Sequence, residues 1–226
     1  MSTAPDRRPL TRERILAAAL RLIDARGLDA FSMRTLGAEL GVQAMSLYRH
    51  LPGREAILDG VVALLLDEVA WAPRGGPWPE ELAEWARAYR RVALDHPNAF
   101  PLVADRPAAG YVAAREGAER TLGRMVADGL TPREAAHALR VVVRYVVGFS
   151  LAGISGGADA AHAAARLAGD GYPLLAELVA DAGPGPDDEV FELGLRLIVE
   201  GLRAELTSRG AARGRRGRGD ARPPEP

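Results

Sequence analysis

The stretch from Ser32 to Leu58, SMRTLGAELGVQAMSLYRHLPGREAIL, constrains this chain more than any other segment. Leu36 and Leu40 stand four residues apart, on one face of a helix. Gly41 follows at once and supplies the positive φ that ends a helix and re-aims the chain. Gly37 is a small residue at which a second helix can cross closely. Val42 and Leu47 give the next short helix its inward anchors. Ala44, Met45, Ser46, Tyr48, Arg49 and His50 are left to point outward, where they can reach phosphates or base edges. Two short helices joined by a tight turn in this way form a helix-turn-helix, whose second helix enters the major groove of DNA.

The flanking sequence supplies the rest of a helical head. Residues 1–10 are polar and proline-bearing and read as a flexible arm. Thr11 is placed to cap a helix from Arg12 to Arg26, with Glu13 in its first turn favouring the dipole. Ile15, Leu16, Ala19, Leu22 and Ile23 form its apolar stripe, and Gly27 closes it. Phe31 reads as the core residue under the small helices, and Ser32 as the cap of the next one. Pro52 and Gly53 then break the chain before a longer helix, about Arg54 to Ala70, with Ile57, Val61, Leu64, Leu65 and Val69 apolar. The division expected is an arm (1–10), a head (11–53), a larger domain (54–207) and a tail (208–226).

Downstream the periodicity stays helical. The loop WAPRGGPWP, residues 71–79, separates helices expected at about Glu80 to His96, Ala108 to Asp128 and Pro132 to Gly153. Pro132 sits in a favoured first-turn position with Thr131 as its cap. Residues 154–186 are Gly- and Ala-rich with weak periodicity, which leaves their order open. A last helix, about Asp187 to Thr207, carries Val190, Phe191, Leu195, Ile198 and Leu202 on one side. The tail has six Arg, many Gly and no apolar cluster, so it reads as disordered. No stretch alternates as a strand does, and the fold class is all-α.

Composition decides which partners are possible. The 226 residues carry a net charge of −1, which by itself argues against binding a polyanion. The distribution along the chain argues the other way. Residues 1–54 hold nine Arg against five acids, a net +4, and residues 209–226 hold six Arg against two acids, again +4. Residues 55–208 hold fourteen Arg against 23 acids, a net −9. A basic head on an acidic body presents one end to a polyanion. Every one of the 29 basic residues is Arg, which together with abundant Ala, Gly and Pro reads as a GC-rich coding bias. The chain has no cysteine, which excludes disulfides and thiolate metal sites. No run of about 18 apolar residues stands out as a membrane span, and the N-terminus is no secretory signal. The expected location is cytoplasmic.

The amphipathic helix from Arg12 to Arg26, the GLDAFSMRTLGAELGV run, the SLYRHL segment and the GREAILDG that follows resemble the DNA-binding domain of the tetracycline-repressor (TetR-type) family. Carried over position by position, the resemblance implies DNA contacts from Met33, Arg34, Ala44, Met45, Ser46, Tyr48, Arg49, His50 and Arg54. Each has chemistry for the role. Arg34 is long enough for bidentate contact to guanine O6 and N7. Ala44 and Met45 offer apolar contact to a thymine methyl. Ser46, Tyr48 and His50 can bond phosphates, which position the protein without reading sequence. Arg54, beside a helix N-terminus, can hold a phosphate with free backbone N–H groups.

WPEELAEWARAYRRVALDHPNAFPLV and GLTPREAAHALRVVVRYVVGFSLAG are similar to the C-terminal regulatory domain of the same family. That similarity implies a homodimer formed by the last two long helices of each subunit, with Val143, Val147, Gly148, Phe191, Leu195, Ile198 and Leu202 as interface candidates. It also implies a small-molecule pocket whose occupancy releases a palindromic double-stranded DNA operator. Trp85, Tyr89, Phe100, Val103, Tyr111, Met125 and Tyr145 are the residues suited to line it. True tetracycline repressors carry a ligand-binding Asn at the position of Trp85, a metal-binding His at that of Val103 and another ligand-binding His near Ala70. Those substitutions remove the polar and metal contacts and point to an apolar or aromatic effector other than tetracycline.

No catalytic residue, cofactor or metal site is assigned. His50, His96, His137 and His162 are scattered, with no pair at metal-ligand spacing. His96, before Pro97, reads as a cap for helix carbonyls. No phosphate-binding or nucleophile-elbow motif occurs. The sequence reads as a ligand-responsive dimeric regulator, a repressor in its simplest form. An effector-independent DNA-binding protein of the same fold and an all-helical protein interaction module remain as alternatives.

Overall fold

A computed structural model describes residues 9–69, 75–107, 110, 112, 114–155, 160–181 and 187–219. Among these, every regular element is a helix. The chain forms two compact units, one drawn from residues 1–70 and 88–116, the other from 71–87 and 117–226.

The first unit starts with α1 (Arg12–Arg26). The Thr11 hydroxyl accepts the Arg14 N–H at 3.2 Å, and Gly27, at φ 77°, ends the helix as its N–H donates to Ile23 O. Ile15, Leu16, Ala18, Ala19, Leu20, Leu22 and Ile23 are buried, each large aliphatic among them contributing about 1.5–3 kcal/mol. A short turn, Leu28–Ala30, leads to α2 (Met33–Leu40) and α3 (Ala44–Leu47). Next, α4 (Arg54–Asp67) packs on α1 through Ile57, Leu58, Val61, Val62 and Leu65. At Gly60 the absence of a side chain admits the Leu16 side chain. This packing puts α4 in the same unit as the helices before it, so the boundary expected after residue 53 is not where the unit ends.

The first unit also takes the second half of α5 (Trp78–Asp95) and α6 (Pro101–Asp105), which packs on α4. Ala88, Tyr89, Val92, Ala93, Ala99, Phe100, Leu102 and Val103 are buried there. α6 is too short to show periodicity, and no separate sign of it stands in the sequence.

In the second unit, the first half of α5 buries Trp78, Leu82 and Ala86. The buried Glu81 carboxylate accepts the Gly75 and Gly76 N–H groups, tying the preceding turn to the helix. α7 (Arg115–Ala127) buries Thr121 and Met125, and α8 (Pro132–Ser155) opens on a Thr131–Glu134 capping box. α9 (Ala160–Gly169) and α10 (Pro173–Asp181) fold back on each other. α11 (Asp188–Gly219) packs along α8.

Three expectations change here. Residues 160–181 form two helices, although their Ala-rich sequence carries little polar/apolar contrast. The last helix runs past Thr207 to Gly219, so the expected disorder does not begin at 208. Arg and Ala favour helix, no proline intervenes, and Arg209 pairs with Glu205 one turn back at 2.8 Å. Finally, residues Pro132–Ile154 are long and apolar enough to cross a membrane by length and composition, contrary to the expectation that no such stretch exists. The same test is met by core helices of soluble proteins. Here Arg140 and Arg144 interrupt the helix, and Ala135, Ala138, Val142 and Val146 are buried on one side.

Candidate nucleic-acid interface

Local chemistry builds the recognition element. Thr35 N–H donates to Ser32 Oγ at 3.1 Å, and Ser32 N–H donates to Thr35 Oγ1 at 2.9 Å. This reciprocal box fixes the start of α2, with Thr35 in the place more often held by Glu or Gln. Gly41, at φ 69°, ends the helix, and Val42 N–H donates back to Gly37 O. A Cβ at Gly37 would stand 2.9 Å from Val42 O and 3.2 Å from Ala44 N. Backbone therefore lies directly on backbone where α3 begins. Leu36, Leu47 and Leu51 are fully buried beneath it.

The opposite side is open. Met45 is 72% exposed and Tyr48 47% exposed, while Arg34, Arg49 and His50 are also exposed. Met33, Ala44 and Ser46 are half-buried. A methionine this bare on a four-residue helix contributes nothing to the fold, and an exposed apolar side chain flanked by polar ones fits a contact surface.

Arg54 begins α4, with its guanidinium 5.6 Å from the centre of the buried Phe31 ring and 3.3 Å from Glu55. The aromatic seat was not foreseen in the sequence, because Phe31 reads only as core. Glu55 also pairs with Arg106, which reaches Asp59 at 2.6 Å. The Arg106 hydrogen bond, more than any other cause, holds the Glu55 carboxyl below the usual glutamate range against an opposing desolvation. Glu13, at the start of α1, is likewise lowered, first by its own backbone N–H, then by Thr11, with smaller help from the charges of Arg12 and His50.

The residues suited to an effector are distributed differently from one another. In the first unit, Tyr89 and Phe100 meet edge to face with centroids 5.8 Å apart, and Val103 is buried. Burial raises the pKa of the Tyr89 hydroxyl well above its ordinary value. In the second unit, Met125 is buried and Trp85 half-buried. The Tyr145 ring stacks on Phe191 with centroids 5.5 Å apart and lies 5.6 Å from the Phe149 ring, and its hydroxyl donates to Phe191 O at 2.9 Å. These contacts join α8 to α11. Tyr111 and Ala70 lie outside the described residues.

The interface candidates also divide. Phe191 is 1% exposed and Leu195 fully buried, in the core between α8 and α11. Val143, Val147, Ile198 and Leu202 are half-buried and Gly148 exposed. Val190, expected on the apolar side with Phe191, is exposed instead, and Leu193 and Leu197, not singled out in the sequence, stay exposed with it at helical spacing on α11, with Val141 exposed on α8. Leu193 and Leu197 were passed over because Phe191 and Leu195, the stronger apolar signals, mark a different side of the helix.

His96 caps no carbonyl with its ring. Its two ring nitrogens reach Asp24 and Glu68 at 2.7 and 2.8 Å.

An exposed short helix held across a left-handed glycine, on an otherwise buried three-helix support, defines a helix-turn-helix DNA-binding protein. Residues 15–61 match the family described as bacterial regulatory proteins, tetR family, and residues 72–206 match the tetracyclin repressor-like C-terminal domain. The chain belongs to the tetracycline-repressor family. It is 33% identical to the HTH-type transcriptional repressor DrrR1 of Streptomyces coeruleorubidus, over 91% of this chain and 83% of that protein. It also resembles the TetR family protein ActR of Streptomyces coelicolor. In complex with (S)-DNPA the match is 36% identity and TM-score 0.71, covering 88% of this chain and 100% of ActR. In complex with actinorhodin it is 34% and 0.70, covering 88% and 99%. BioQ, known from Mycobacterium smegmatis, was solved with its double-stranded DNA operator and matches at 26% identity and TM-score 0.65, over 87% and 99%.

Proposed function

We propose that this protein is a dimeric, cytoplasmic transcriptional repressor that binds a near-palindromic operator and releases it on taking up a small apolar or aromatic effector. The observation that carries the reading is the exposed face of Met45, Tyr48, Arg49 and His50 beside Arg34, on helices whose opposite sides are fully buried. Ala44 and Ser46 edge that face, and Met33 lies at the first turn of α2. Arg54, seated on Phe31, supplies a phosphate contact at the start of α4. The relatives support this reading: one is named a repressor, one was solved with its operator, and one was solved with two different small molecules.

Dimerisation follows from α8 and α11. Val190, Leu193 and Leu197, with Val141, Val147 and Gly148, are apolar or small and face outward on two long helices. A second copy would cover them as a four-helix bundle. Two heads in such a dimer read half-sites about 34–36 Å apart. Tyr89, Phe100 and Val103 offer the effector an apolar, aromatic environment without the metal ligand of tetracycline repressors.

The test is a titration of DNA from the region upstream of the coding sequence at several salt concentrations. An operator binder loses affinity with a log–log slope of about −0.9 for each phosphate contact. Effector dependence is read by thermal stabilisation across a panel of apolar and aromatic compounds, followed by release of bound DNA. DNA binding without salt dependence, or none at all, would overturn the reading.

A further inference from the structure

Both nitrogens of His96 face carboxylates. Nδ1 lies 2.7 Å from Asp24 Oδ2 on α1, and Nε2 lies 2.8 Å from Glu68 Oε2, just past the end of α4. A neutral imidazole has one N–H and one lone pair, whereas an ionised carboxylate only accepts. Only the doubly protonated ring satisfies both oxygens. A neutral ring can donate to one carboxylate and must turn its lone pair on the other. The two carboxylates sit at opposite ends of the ring, so the trio does not form a metal site.

The partners are unequal. Asp24 is fixed further by Asn98, whose side-chain N–H donates to the Asp24 carbonyl at 2.7 Å. Asp24 Oδ1 is buried with no hydrogen-bond partner among the described residues, which makes the anion dependent on His96. The Glu68 side chain is 48% exposed, so water can take over its carboxylate. Loss of the proton therefore releases Glu68, and with it the end of α4.

We propose that His96 is a positioning residue that ties the ends of α1 and α4 together only while doubly protonated, so that operator affinity depends on its protonation. Asp24 from α1 and Glu68 from beyond α4 are the charged groups that face the ring. Burial, the largest influence, opposes the charged form. The hydrogen bonds and charges of the two carboxylates together outweigh it and raise the His96 pKa above its ordinary value. The stabilisation is thus fully present below the ordinary histidine pKa and is lost as pH rises through the raised one. A head held in one arrangement loses less conformational entropy on binding, so the latched form binds operator more tightly.

The inference rests on the DNA-binding reading for its last readout alone. In the full chain, the His96 ring protons are titrated by NMR, assigned with His96→Gln, and melting temperature is followed against pH. Operator affinity is then measured for the unmodified chain and for Glu68→Gln. A glutamine at 68 both donates and accepts, so it satisfies a neutral ring and removes the need for the second proton. The expected results are a His96 pKa above the ordinary histidine value, lowered by Glu68→Gln. Between about pH 6 and about pH 9, operator Kd should rise about threefold to tenfold, the scale of part of one charge-assisted hydrogen bond. That rise should shrink in Glu68→Gln. Every other ionisable group is present in both chains, so the difference isolates the His96–Glu68 contact. An ordinary or lowered His96 pKa, or equal pH dependence in the two chains, would overturn the proposal. Failure to bind DNA at any pH would overturn the DNA-binding reading and with it the claim on operator affinity, leaving the NMR titration and melting curves to decide the latch itself.

Discussion

The Val42 carbonyl oxygen lies 2.9 Å from where a Cβ on Gly37 would stand, and Ala44 N lies at 3.2 Å. Neither neighbour is a flexible side-chain tip, so an added methyl has to push the start of α3 away. Gly37→Ala should therefore cost about 1–3 kcal/mol of stability and weaken operator binding beyond that loss, since α3 carries Met45 and ends on Tyr48. Melting temperature and operator Kd measured together check this. An unchanged Kd would show that α3 does not depend on the Gly37 crossing.

Arg34→Ala should lower operator affinity and relax preference at one base pair, by about 1–3 kcal/mol if the contact to guanine is bidentate. Tyr48→Phe removes a hydroxyl suited to phosphate and should weaken binding evenly across sequences. Titrating the operator and its point variants separates the two patterns. Equal affinity of Arg34→Ala for all of them, with no overall loss, would rule out base reading by Arg34.

Leu197 is 59% exposed on α11, one turn beyond Leu193. Leu197→Glu should leave the single chain folded and shift it from dimer to monomer, because a charge would have to be buried between copies. Sedimentation velocity reads the mass, and operator affinity should collapse with it. A dimer that survives the substitution would place the interface elsewhere.

Gly194 lies against the Tyr145 hydroxyl, which itself donates to Phe191 O at 2.9 Å. A methyl at 194 occupies the space that hydroxyl needs. Gly194→Ala should lower the melting temperature, and Gly194→Ala combined with Tyr145→Phe should recover part of the loss because the phenyl ring is shorter by that oxygen. No recovery in the double variant would remove Tyr145 as the cause.

Arg106 holds Glu55 and Asp59 on α4. The depressed Glu55 pKa gives a contribution that is present above the ordinary glutamate value and lost as pH falls through the lower one. Arg106→Ala should therefore lower stability at neutral and alkaline pH and leave it little changed below the lowered Glu55 pKa, which flattens the acid side of the stability–pH curve. A uniform drop at all pH values would assign Arg106 a packing role instead.

What the sequence disclosed was local. Thr11, Gly27, Ser32, Gly41 and Thr131 act on backbone within a few residues of themselves, and each does in the structure what its neighbours imply. The helix-turn-helix was legible for that reason. The role of His96 is hidden in the sequence because its partners lie 72 and 28 residues away, and nothing near His96–Pro97 points to them. Tyr145 and Phe191 read as residues of different roles although they stack on one another, since helical periodicity says which face is apolar and not which helix covers it. Arg54 reads as a phosphate ligand from its position alone. Its seat over Phe31 joins two residues that the sequence keeps 23 apart and gives no reason to pair.

The burial of Trp78 at the start of α5, with Trp85 two turns on, has an optical consequence. The chain has three tryptophans, Trp71, Trp78 and Trp85, and none of them lies in the helix-turn-helix. Indole emission therefore reports one short stretch of sequence outside the helix-turn-helix. A compound that shifts the emission maximum has changed the surroundings of this stretch, and a mutation in the head removes none of the three indoles, so the signal stays available as an independent measure.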